Sequence, residues 1–109
     1  MWLHEEEAGT VGLLLQYFKE HSGEKVVIEF ASGESYLVSF FTSYDTDNEE
    51  AAECGVEEFV EFHEVCLNVE KVIKPGSHYV GGDSFVAVSY SDFPVRILDE
   101  RGEQLYTAG

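Results

Sequence analysis

Hydrophobic positions change their period along the chain. From Thr10 to Ser22, Val11, Leu14, Leu15 and Phe18 recur at helical spacing, and Leu13 and Tyr17 widen the apolar stripe. Thr10 stands where an N-cap belongs. Glu5, Glu6 and Glu7 place negative charge just before the helix, and His21 followed by Gly23 marks its stop. Gly12 inside it costs up to about 1 kcal/mol relative to Ala. The pattern then switches to alternation. In Lys25 to Phe30 and Ser35 to Ser43, every second residue is apolar and the composition is rich in Val, Ile, Phe and Tyr, so the pair predicts a hairpin turning at Ala31, Ser32, Gly33 and Glu34.

Tyr44 to Gly55 is polar, acidic and turn-like. The segment 56–73 admits two periods: Val56, Phe59, Val60, His63 and Leu67 fit a helix, whereas Phe59, His63, Val65, Leu67 and Val69 fit one face of a strand. We read it as a strand, because Phe, Val and Cys dominate and glutamates can line its wet face, with Pro75 and Gly76 ending it. A turn-rich stretch from Gly76 to Asp83 precedes a strand at Phe85 to Tyr90. Arg96 to Leu98 and Glu103 to Tyr106 form a second hairpin around Asp99, Glu100, Arg101 and Gly102. There is no repeat, low-complexity tract or linker. The expected fold is therefore a single α+β domain over residues 1–109, an N-terminal helix packed on a strongly bent, mainly antiparallel sheet of five to six strands, with a small barrel as its closed limit.

Composition fits this picture. The hydrophobic fraction of 44% and aromatic fraction of 14% over 109 residues suffice for one packed core without staples. No apolar run approaches the roughly 20 residues a bilayer demands. The acidic start lacks the basic n-region of a secretory signal. Cys54 and Cys66 do not make a disulfide framework. These features together point to the cytoplasm. Whether the two cysteines pair is left open, since sequence fixes no geometry, and Cys66 reads as a core residue.

Charge changes the picture most. Acids outnumber bases 22 to 6, giving a net charge of −16, and no lysine or arginine lies between Lys25 and Lys71. That interval holds Asp45, Asp47, Glu49, Glu50, Glu53, Glu57, Glu58, Glu61 and Glu64. Such a surface repels a phosphate backbone, so nucleic acid is disfavoured, and it steers a basic protein partner instead.

Candidate chemistry is sparse. Asp45, Thr46, Asp47, Asn48, Glu49 and Glu50 begin like a calcium loop, but Glu50 stands where glycine is needed and Val56 where the bidentate glutamate belongs. His63 and Cys66, three apart, do not share one face of a strand, and no paired Cys or His motif points to zinc. Nucleophile elbows and phosphate-cradling glycine loops are absent. The sequence therefore implies no cofactor, no metal and no enzymatic activity. A metal-dependent enzyme using Asp45, Asp47 and neighbouring glutamates is the weakest alternative. Tyr90, Phe93 and Tyr106, near Pro94, read first as core and second as an exposed partner-binding edge.

The first hairpin carries a family likeness. Val26, Ile28, Phe30, Ser32, Gly33, Tyr36, Val38, Phe40, Asp45 and Asn48 resemble the first motif of the Sm-like family: an apolar strand, a turn glycine, a second strand and a closing Asp and Asn. Val38 stands where that motif carries a glycine, and Asp45 comes one residue late. Arg101, Gly102 and Leu105 are faintly similar to the second motif. The resemblance implies a bent sheet that self-assembles through its edges, and it nominates Asp45, Asn48 and Arg101. The overall expectation is an acidic protein-interaction module, immunity-like or antitoxin-like, with a divergent Sm-like ring protein as the alternative.

Overall fold

A computed structural model describes residues 4–47, 61–79 and 84–108 of the chain. A 3-10 helix at Glu5–Gly9 leads into helix α1, Val11–Glu20. Six strands follow among the described residues: β1 Lys25–Glu29, β2 Ser35–Asp47, β3 Glu61–Lys74, β4 Phe85–Ser89, β5 Arg96–Asp99 and β6 Gln104–Thr107. Every pairing is antiparallel, and the strand order is β4-β3-β2-β1-β5-β6 in one open sheet. The α+β class predicted from the pattern is the one observed, as a sheet that does not close. No helix among the described residues is long and apolar enough to cross a membrane.

Period-2 alternation decides which face each strand buries. Val26 and Ile28 of β1, Tyr36 and Val38 of β2, Val65 and Leu67 of β3, Val86 and Val88 of β4 and Ile97 of β5 form one apolar face. Helix α1 covers that face with Val11, Leu14 and Phe18, three residues on one side of a 3.6-residue period. Each such buried side chain contributes roughly 1.5–3 kcal/mol. Thr10 precedes the helix as predicted but does not cap it: its hydroxyl donates back to the Glu6 carbonyl at 2.8 Å.

The first hairpin keeps the predicted turn. Gly33 adopts φ +95°, a conformation only glycine takes without strain, and its N–H donates to the Phe30 carbonyl at 2.9 Å. Three register shifts interrupt the β2–β3 ladder, between Ser35 and Tyr36, Leu37 and Val38, and Phe40 and Thr42. Such irregularities bend a strand and raise its local twist.

Two expectations are corrected. Tyr44 to Asp47 is not a turn but the far end of β2, because Tyr44, Asp45, Thr46 and Asp47 pair with Glu64, His63, Phe62 and Glu61 of β3. Cross-strand pairing overrides a polar local composition there. Cys66 is not core either. With Val65 and Leu67 buried, Cys66 must turn to the opposite face, where it is half-buried between Thr42 and Ala87. The part of the predicted strand before Glu61, Cys54 and residues 80–83 lie outside the described residues.

Candidate interaction surface

The far end of β2 and β3 gathers four of the acids nominated from sequence. Asp45 is exposed, and its Oδ1 lies 2.8 Å from His63 Nδ1. Tyr44 donates its hydroxyl to Glu64 Oε1 at 2.6 Å, which, together with burial, pushes the phenol up to about 12. Asp47 ends β2 with Glu61 as its register partner. Asn48, Glu49, Glu50, Glu53, Glu57 and Glu58 lie outside the described residues.

The amino-terminal turn adds to this end. Glu7 is fully buried. Its Oε1 accepts the His4 N–H at 2.8 Å, and its Oε2 accepts the His63 N–H at 2.5 Å, so a carboxylate takes up a backbone donor of β3 just past the last β4 pairing at Glu64–Ser89. His4 Nε2 lies 2.7 Å from the Glu61 carbonyl, and its ring stacks on Tyr90 at 4.4 Å. Sequence reasoning assigned Glu5 to Glu7 to the charge field of the helix start. Instead, Glu7 fastens the turn to β3, and Glu5 and Glu6, next in the chain to the His4 that meets Glu61, stay exposed. Nothing in the local pattern marks Glu7, because its partner is 56 residues away.

All six lysines and arginines lie elsewhere. Lys19 is in the last turn of α1, Lys25 opens β1, Lys71 and Lys74 sit at the opposite end of β3, Arg96 opens β5 and Arg101 lies in the β5–β6 turn. Arg96 makes a two-pronged bond to Glu29, its Nε and Nη2 each 2.8 Å from a carboxylate oxygen. Arg101 Nη2 is 3.1 Å from Asp99 Oδ2. The residues carried over from the Sm-like resemblance are therefore engaged separately, Asp45 with His63 and Arg101 with Asp99.

The outer sheet face carries exposed aromatic rings at its centre. Phe41, at 53% exposure, occupies the irregularity between Phe40 and Thr42, and its ring meets Phe85 of the edge strand at 4.9 Å between centroids. Tyr44 is also exposed on β2. Tyr90, Phe93 and Tyr106, the aromatics singled out from sequence, are half-buried, with Phe93 and Tyr106 in an edge-to-face contact at 5.1 Å. A signal was available: of two consecutive phenylalanines in a strand, one must leave the core face.

A second cluster lies at the other end. Glu34 is 1% exposed; it accepts Ser32 Oγ at 2.5 Å, the Tyr36 hydroxyl at 2.6 Å and the His78 N–H at 2.9 Å. His78 stands between two carboxylates, Nδ1 3.0 Å from Glu34 Oε2 and Nε2 2.7 Å from Asp92 Oδ1, and stacks on Phe30 at 3.8 Å. Burial alone pushes the Glu34 carboxyl up, but its bonds to Ser32, Tyr36 and His78 outweigh that and hold it at about 2. Burial pulls the His78 imidazolium down, and Asp92 and Glu34 together raise it. With Glu34 sealed from solvent, this cluster joins two turns, while the His78 ring and Asp92 keep an open side.

Other chemistry is weak. The Cys66 thiol is pushed up by burial and then by the charge of Glu64, which keeps it a poor nucleophile. Among the described residues no group of three or more His, Cys, Asp or Glu is arranged to hold a metal ion. No protein-family model, curated protein or solved structure matches the chain.

Proposed function

We propose that this protein is a non-enzymatic acidic interaction module that offers the far end of β2 and β3 to a basic protein partner. The observation that carries the reading is the segregation of charge. The turn at Glu5–Gly9 docks beside Glu61, so Glu5, Glu6, Asp45, Asp47, Glu61 and Glu64 share one end of the molecule, while every lysine and arginine belongs to other parts of the fold. A field of one sign accelerates encounter with an oppositely charged surface. The concrete form is an immunity-like or antitoxin-like inhibitor that covers the cationic substrate site of a nuclease.

Affinity capture from the native host followed by a salt titration of the purified pair tests this. The expected partner is basic, and its association rate falls steeply as ionic strength rises. Capture of no basic protein, or binding indifferent to salt, overturns the reading.

The open edges of β4 and β6 favour a second reading, a homo-oligomeric Sm-like assembly built by pairing sheet edges. Native mass spectrometry separates the two: a closed ring of several copies selects the second, and a monomer or dimer selects the first.

A further inference from the structure

The outer face of the β2–β3–β4 sheet has its own organisation, distinct from the charged end beside it. Cross-strand rows order it: Tyr44, Glu64 and Ser89; then Thr42, Cys66 and Ala87; then Ser39, Asn68 and Phe85. Phe41 is the extra residue near the middle, with its ring against Phe85. Carboxylates flank this centre on both sides. Glu64 is bonded to Tyr44 at one end, and Glu70 at the other accepts the Ser39 hydroxyl at 2.7 Å. An apolar centre with a polar rim is the anatomy of a protein-binding patch.

The rim decides what fits. A purely apolar partner would cover the two rings but strip water from Glu64 and Glu70 without replacing it. A second copy of this chain would bring a net charge of −16 against the same charge. A lysine supplies charge as a compact, strongly hydrated point. A guanidinium is planar and weakly hydrated; it can lie on an aromatic face while its edge donates to a neighbouring carboxylate. We propose that this face binds arginine side chains of an extended basic segment, with guanidinium groups stacked on Phe41 and Phe85 and paired at their edges with Glu64 and Glu70. The proposal rests on the reading of the protein as a binder of basic partners, and it names the residue type that the partner contributes.

Nona-arginine and nona-lysine peptides carry equal charge and separate stacking from electrostatics. Fluorescence anisotropy with the full chain at physiological salt should show nona-arginine binding about five- to tenfold more tightly, the worth of one or two cation–aromatic contacts. Phe41→Ala with Phe85→Ala removes two exposed rings, so the fold should persist, as circular dichroism will show. It should abolish the arginine preference while leaving nona-lysine binding unchanged, and Phe41→Tyr with Phe85→Tyr should retain the preference. Equal binding of both peptides to the unaltered chain, or a preference that survives the alanine pair, overturns the proposal and leaves the electrostatic reading standing. Failure of both peptides to bind removes both. A self-associated chain that the alanine pair dissociates assigns the face to a second copy and overturns the proposal as well.

Discussion

The two ends of this sheet treat carboxylates in opposite ways. Around Glu34, each acid has a dedicated partner: Glu29 with Arg96, Glu34 with Ser32, Tyr36 and His78, and Asp92 with His78. Around Asp45 and Glu64, the acids other than the buried Glu7 stand exposed or half-buried, with a tyrosine and a histidine for company and no lysine or arginine. The same residue types thus build a structural fastening at one end and a charged surface at the other. What sets Glu34 apart is its loss of water, because a carboxylate taken out of water must be matched by donors whereas an exposed one need not be.

The comparison breaks most visibly at Glu34. Glu34→Ala leaves the buried Tyr36 hydroxyl and the His78 backbone N–H without their acceptor and should cost about 3–5 kcal/mol of stability in urea unfolding. Gly76→Ala attacks the same place sterically. An added Cβ would come within 2.5 Å of the Glu34 Cβ and Cδ, and the resulting displacement should cost about 1–3 kcal/mol in the same assay.

pH sharpens the contrast. His78 is raised in the folded state, so its stabilisation is complete below the ordinary histidine value of 6.5 and fades as pH rises through the folded value. Glu34 is lowered from 4.5 to about 2, so its contribution is present above 4.5 and is lost as pH falls from there towards 2. His78→Gln should therefore narrow its stability deficit relative to the unaltered protein as pH rises above 6.5, measured as the difference in melting temperature between pH 6 and pH 9. Glutamine keeps a polar side chain beside Glu34 without the titrating charge.

The smallest stability effect belongs to the exposed end. Asp45→Asn together with Glu64→Gln should shift stability by no more than about 0.5 kcal/mol, as surface changes do, while slowing association with a basic partner several-fold at low salt. Stopped-flow mixing checks the rate and thermal melting the stability. A large loss of stability with an unchanged rate would reverse the roles assigned to the two ends.

Much of the fold is legible along the chain, because α1 and the hairpins each repeat their apolar positions at one period, and the Phe, Val and Cys content of segment 56–73 tips its two competing periods towards the strand. The rest depends on distant neighbours. Tyr44 to Asp47 looks like a turn until β3 is laid beside it, and the placement of β5 against β1 has no local signature. Parity within β3 could have moved Cys66 off the core, since Val65 and Leu67 already claimed that face. Of the candidate surface, Asp45, Glu61 and Glu64 were visible as unopposed charge. The buried roles of Glu7 and Glu34 were not, because each is defined by a residue more than forty positions away, His63 for one and His78 for the other.

The arrangement of Glu7 and His4 also bears on aggregation. An open sheet exposes ladder groups wherever a neighbouring strand stops short, and an unfinished ladder recruits strands from other molecules. Where β4 ends, β3 is met by a carboxylate and an imidazole, which consume the His63 donor and engage the Glu61 carbonyl while offering no backbone for a further strand to follow. The amino-terminal turn thus acts as a stopper, leaving this stretch of β3 unable to template the stacking of chains into fibres.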